Sequence, residues 1–193
     1  MSTAAGEMQD CHSGHYPACW TAALASLTGA YVHIRAEQPT DRSAIHAVVK
    51  AAFGRADEAD LVDRLREDDS VVISLVSLDA NAVVTGHILL SRMDAPFTAL
   101  GLAPLSVMPA QQRAGTGSQL VRGALQRAKD LGWEAVFVLG DPKYYGRFGF
   151  DAARASGFSS PYAGPHLMVL ALTGSLPVSA GSIAYAGPFA SLG

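Results

Sequence analysis

Hydrophobic positions change period several times along the chain, and each change marks an element. Val32-His-Ile-Arg35 alternates and predicts a short strand. Pro39-Thr-Asp41 supplies a helix start, and Ala44, Ile45, Val48, Val49, Ala52 and Phe53 then share one helical face until Gly54. A second short helix follows Asp57, with Leu61, Val62 and Leu65 on its apolar stripe and Arg64 and Arg66 turned outward. Val71 to Ser77 is rich in β-branched residues, and Asp79-Ala-Asn81 turns it into a second run, Ala82 to Ser91. That pair predicts an antiparallel hairpin. Ala99 to Val107 is a further strand, interrupted by Pro104. Proline has no N–H to give a ladder, so this strand should be bulged or unpaired on one side there. Leu120, Val121, Ala124, Leu125, Ala128 and Leu131 recur at helical spacing, with Gly132 placed as a left-handed stop. Ala135 to Gly140 is a continuous apolar run of the kind buried parallel strands use. From Asp151 the chain is Gly/Pro/Ser-rich, with one clear strand at Leu167 to Leu172.

The order from residue 32 is therefore β-α-α-β-β-β-α-β-helical turn-β. It predicts an α/β (α+β mixed sheet) fold with one β-α-β unit over 99–140. No repeat or linker divides it, so residues 32–193 read as a single domain. Residues 1–31 read as an extension, with a short helix at Trp20 to Leu27. Half of the 193 residues are hydrophobic (49%), enough for one substantial core. A net charge of −3 offers no broad attraction to nucleic acid or anionic membrane. No run approaches the roughly eighteen apolar residues of a membrane span, and no basic-then-apolar leader opens the chain. The expectation is a cytoplasmic protein. Cys11, His12, His15 and Cys19 are close enough to suggest zinc, but the spacing C-H-x2-H-x3-C fits no ligand pattern, and no metal is expected.

The chemistry is concentrated in Gln112-Arg-Ala-Gly-Thr-Gly-Ser118, which runs from the 99–107 strand into a helix. It lacks the lysine and the spacing of a Walker A loop, and Leu120 stands where a dinucleotide turn needs its third glycine. Converging amides at a helix N-terminus, a positive dipole end and two glycines still favour an anion, with Arg113 beside them. The bland alternative is an ordinary strand-to-helix turn whose glycines relieve backbone strain.

Taken with Leu102-Ala-Pro-Leu-Ser-Val-Met-Pro109, this turn resembles the signature of the GCN5-related N-acetyltransferase (GNAT) superfamily. The block Phe137-Val-Leu-Gly-Asp-Pro-Lys-Tyr-Tyr-Gly-Arg-Phe-Gly-Phe150 is similar to its YhbS-like branch, as are Glu58 to Arg66 and Gly86 to Ser91. The resemblance implies a central, mostly antiparallel sheet with a splayed parallel strand pair, flanked by helices. It implies acetyl-CoA as cosubstrate, an amine as acceptor and direct transfer between them. Homodimers occur in the superfamily, so a homodimer is a further expectation.

By the same resemblance, the backbone of Leu105, Ser106 and Val107 would meet the pantetheine arm. Gln112, Arg113, Ala114, Gly115, Thr116, Gly117 and Ser118 would hold the pyrophosphate. The Val107 N–H would polarise the thioester carbonyl, and a tyrosine after the second parallel strand would protonate the departing thiolate. Tyr145 and Tyr144 both sit there, with Tyr145 the first choice and aromatic packing the alternative for each. The 99–107 strand carries no Asp or Glu to serve as base. Glu58 and His87 are candidates by type, against a solvated helix-start carboxylate and a half-buried structural imidazole. Asp141 is expected to cap its turn, and Arg147 to hold that turn or face the nucleotide. The acceptor pocket is expected between the two early helices, the Asp94 to Phe97 loop and the C-terminal tail. The missing strand carboxylate keeps open a non-catalytic acyl-CoA-binding or sensing module, and an unrelated phosphate-binding protein is the third reading.

Overall fold

The computed structural model describes residues 32–191, so the N-terminal extension with its short helix and Cys/His cluster lies outside the described residues. Strands β1 (His33–Ala36), β2 (Val71–Leu78), β3 (Val84–Asp94), β4 (Ala99–Val107), β5 (Ala135–Leu139) and β7 (Leu167–Ala171) lie side by side in the order β1-β2-β3-β4-β5-β7. Every neighbouring pair is antiparallel except β4 and β5, which run parallel. The parallel pair arises because α3 (Thr116–Asp130) crosses over between its two strands. Three very short strands escaped the hydrophobic pattern: β6 (Phe158–Ser159) and β8 (Gly181–Ser182) pair with each other, and β9 (Ala184–Tyr185) pairs with the end of β3.

Side-chain alternation sends the two faces of the sheet to different helices. Ile73, Ile88 and Leu90 pack with Leu120, Val121, Ala124 and Ala128 of α3. On the opposite face Val76, Leu78 and Leu89 meet Ile45, Val48 and Val49 of α1 (Arg42–Phe53) and Leu61, Val62 and Leu65 of α2 (Asp57–Glu67). Residues 84–91 of β3 are therefore buried throughout, with helices on both sides. Gly54 and Gly132 adopt the left-handed conformation expected at the ends of α1 and α3. Leu131 departs from the expected face and is exposed, because α3 closes just before it.

The outward reading of Arg66 is corrected. Its side chain is only 9% exposed and turns under β1, where Nε lies 2.9 Å from Glu37 Oε1 and Nη2 donates to Oε2 at 3.0 Å. Arg64 is likewise half-buried rather than outward, with its Nε shielded from solvent. The Ser74 hydroxyl also donates to Glu37, and His87 Nε2 lies 2.8 Å from the same hydroxyl. A carboxylate at the sheet edge thus ties β1, β2, β3 and α2 together. His87 is fully buried rather than half-buried, which holds its imidazole below the usual histidine range. Burial works to raise the Glu37 carboxyl, but its bonds from His87, Arg66 and Ser74 hold it down to about 2.

Both groups act in the same direction with pH. Glu37 titrates below its ordinary value of 4.5, so its contribution is complete above that pH and lost as pH falls toward about 2. His87, kept neutral by burial, adds a loss that begins below its ordinary 6.5. Glu37→Gln is expected to cost about 2 kcal/mol at neutral pH, since it removes the buried partner of Arg66 and leaves it only the more exposed Asp63. Denaturant unfolding across the acid range should show this gap between wild type and variant narrowing as pH falls.

Candidate active site

β4 loses its regular pairing on both sides at one point. Against β3, Leu105 faces Ile88 and Leu102 faces Leu90, so Ala103 and Pro104 together oppose Leu89 alone. This is the bulge that Pro104 predicted, with one extra residue on the β4 side. Against β5 the parallel register ends at Leu102 and Val138. Beyond that point β4 continues along β3 to Val107, leaving a gap on its other edge. Antiparallel pairs alternate between bonded and non-bonded positions. Met108 N–H donates to Thr85 O on β3, which turns the backbone groups of Leu105 and Val107 toward the gap and those of Ser106 toward β3. The Val107 carbonyl accepts from Gln112 Nε2 at 3.1 Å. Ser106 is buried with its hydroxyl unpartnered.

The turn after β4 begins with a 3-10 turn at Pro109–Gln111 and ends at Gly115, which caps α3 with φ 93°. Arg113 also has a positive φ (64°). These two conformations leave the first amides of α3 without side-chain caps. Leu105, Val107, Gln112, Arg113, Gly115, Gly117, Ser118 and Tyr144 all line one cavity of about 560 Å³ with Arg147. Ala114 is exposed on the rim of the turn and Thr116 is buried beneath it. Gly117 is needed for a reason the sequence did not reveal: a Cβ there would come within 2.8 Å of the Tyr144 hydroxyl. Arg147 holds its turn and also lines this cavity. Its Nε donates to the Tyr144 carbonyl at 3.0 Å, its guanidinium lies 4.4 Å from the Tyr144 ring centre, and Nη2 is 3.4 Å from Ser118 Oγ.

Tyr145 faces the other way. Its ring lies against Gly140, where a Cβ would come within 2.5 Å of Cε2, and it lines a second cavity of about 480 Å³. Burial, with the Tyr144 phenol adding to it, pushes the Tyr145 hydroxyl above the ordinary phenol range. The second cavity contains the β4 bulge from Leu102 to Leu105, so the two cavities meet at Leu105. Its remaining walls come from Phe53 of α1, Glu58 and Leu61 of α2, and Tyr162, Tyr185 and Phe189 of the tail. The early helices and the tail contribute as expected. The Asp94 to Phe97 loop does not, because Phe97 instead packs with Phe137 and Phe158.

Glu58 is 7% exposed rather than solvated, and Arg55 grips its carboxylate at 2.5 to 3.2 Å. His87 lies with Glu37, in neither cavity. Asp141 caps α4 (Pro142–Tyr145) by accepting from Lys143 N–H.

A sequence model of the acetyltransferase (GNAT) family matches residues 32–150. The uncharacterized N-acetyltransferase YjhQ of Escherichia coli (strain K12) is 40% identical over 135 residues, which span 65% of this chain and 74% of that protein. The crystal structure of GNAT family N-acetyltransferase YhbS from Escherichia coli in complex with CoA superimposes with a TM-score of 0.77 at 31% identity. That match covers 85% of this chain and 94% of the other. A GNAT family acetyltransferase from Brucella melitensis in complex with acetyl-CoA gives a TM-score of 0.69 at 32% identity, covering 82% and 98%. With the bulged β4, the parted parallel strands and the glycine turn in one place, the chain belongs to the GNAT acetyltransferase family.

Proposed function

We propose that this protein transfers an acetyl group from acetyl-CoA directly to an amine. The observation that carries the reading is the parting of β4 from β5 at Pro104, which opens a backbone-lined gap between the two cavities. The glycine turn takes the pyrophosphate on the first amides of α3, with Arg113 and Arg147 supplying charge from either side. The pantetheine arm then bonds to Leu105 and Val107 as an added strand. The CoA and acetyl-CoA complexes of the YhbS and Brucella proteins support this choice of cosubstrate.

The reacting thioester belongs where the cavities meet. Leu105 stands at that junction, whereas Val107 lines only the side next to the turn. Pro104 has no N–H, so the Leu105 N–H is the first donor after the bulge and the better oxyanion partner. The neutral amine attacks the carbonyl carbon, the C–N bond forms and the C–S bond breaks. Tyr145 gives its proton to the leaving sulfur, and the amine gives one to solvent. A phenol is protonated at neutral pH in any case, and burial makes Tyr145 a weaker acid, so its proton passes to the sulfur only as thiolate charge develops beside it. Tyr144 supports the turn through Gly117 and Arg147.

Calorimetric titration should show acetyl-CoA binding with ATP unable to replace it; equal affinity for ATP would sink this reading. Gly117→Ala puts a methyl between the turn and Tyr144, and is expected to weaken acetyl-CoA about tenfold, or about 1.4 kcal/mol. Tyr145→Phe should lower kcat about a hundredfold with acetyl-CoA affinity little changed. Tyr144→Phe should leave kcat within about threefold of wild type, and the reverse pattern in steady-state kinetics would exchange their roles.

A further inference from the structure

The second cavity has a chemistry of its own. Among the described residues that line it, Glu58 is the sole charged side chain. Aromatic rings dominate the far wall: Tyr162 and Tyr185 meet edge to face at 5.6 Å, and Tyr185 and Phe189 lie 4.9 Å apart. The Tyr185 hydroxyl is buried without a hydrogen-bond partner. That leaves a low-polarity chamber with one anion at its side and one unsatisfied hydroxyl in its wall.

The Glu58 carboxylate is held but not saturated. Arg55 approaches Oε1 through two nitrogens, at 3.1 and 2.5 Å, and reaches Oε2 only through Nε at 3.2 Å. A carboxylate offers about four lone-pair sites, so Oε2 can still accept a donor from the cavity side. Arg55 itself is 60% exposed and outside the chamber, so it orients the carboxylate and offsets part of its charge from the solvent side.

Accepting acetyl transfer at the β4 bulge, we infer that the acceptor is a small primary amine on an aromatic body, recognised by Glu58 as an ammonium that loses a proton to solvent before the neutral nitrogen attacks. The rings of Tyr162, Tyr185 and Phe189 supply both apolar area and negative ring faces for a cation. A volume of about 480 Å³ accommodates an arylalkylamine beside the acetyl group. A polyamine fits poorly, since each further ammonium would be buried without an anion. A lysine within a protein would bring peptide groups against walls that offer them few partners.

The test is thiol release from acetyl-CoA with phenethylamine, tyramine, spermidine and a lysine-containing peptide as acceptors. The aromatic amines should exceed the other two by about tenfold or more in kcat/KM. Glu58→Gln should raise the KM for phenethylamine about tenfold, with kcat little changed. Acetyl-CoA affinity and the thermal midpoint, measured on the same variant, should stay at wild-type values and so exclude misfolding. Preference for spermidine or the peptide, or an unchanged KM in Glu58→Gln, would overturn the assignment. So would a marked gain from hexanoyl-CoA with no discrimination among amines, since the chamber would then be an acyl pocket. In each of those outcomes intact acetyl-CoA binding would leave the acetyl-transfer reading standing. A wild-type protein that fails to bind acetyl-CoA would remove both.

Discussion

One missing backbone N–H organises the centre of this molecule. Pro104 cannot donate within β4, and the extra residue beside it bends the strand away from β5 while it stays on β3. A parallel pair that closed to its end would bury Leu105 and Val107 backbone groups in a ladder. Parted, the same groups become a template for a ligand that behaves as a strand. Both cavities depend on that parting: one lies beyond it toward the glycine turn, the other around the bulge.

The gap stays open because its two walls are anchored separately. β4 is fixed to β3, which is buried on both faces by helices from opposite sides. β5 is fixed to β7 through a full antiparallel register from Ala135 to Leu139. The α4 segment then brings Tyr145 against Gly140 and Tyr144 against Gly117, so two adjacent tyrosines brace the opening from its two ends. Their rings pack edge to face at 5.0 Å, which couples the glycine turn to the wall of the second cavity. A peptide of alternating direction does this simply: neighbouring side chains in a single helical turn diverge by about a hundred degrees.

Much of this was legible in the sequence. β4, α1 and α3 have strong periodicity, and Pro104, Gly54, Gly115 and Gly132 are residues whose backbone chemistry leaves few alternatives. The misreadings share a cause. Arg66 was placed outward on helical spacing, but spacing does not show that Glu37, twenty-nine positions earlier, waits under β1. Glu58 sits at a helix start where carboxylates are usually solvated, yet it is buried beside a cavity whose other walls come from distant parts of the chain. The paired strands β6, β8 and β9 are two residues each, too short for any alternation to register. Tyr162, Tyr185 and Phe189 did carry a signal: aromatic side chains recurring in a Gly/Pro/Ser-rich tail need a surface to cover.

The position of those tail residues bears on how function is divided along the chain. The family match ends at residue 150 and covers the bulge, the glycine turn, the tyrosine pair and the two early helices that bring Phe53, Glu58 and Leu61 to the second cavity. Beyond that point the tail adds Tyr162, Tyr185 and Phe189 to a cavity wall that already holds Phe53 and Tyr145. It is nevertheless not loosely attached. Gly101 of β4 lacks a side chain where a Cβ would come within 2.6 Å of the Tyr185 ring, and β9 pairs with Met93 and Asp94 of β3. The tail is therefore registered against β3 and β4, the two strands that meet at the bulge. A change of residue in that wall can reshape the second cavity while the β4–β3 pairing stays in place. Segments from both ends of the sequence therefore meet at one cavity over a strand that the sheet holds in place.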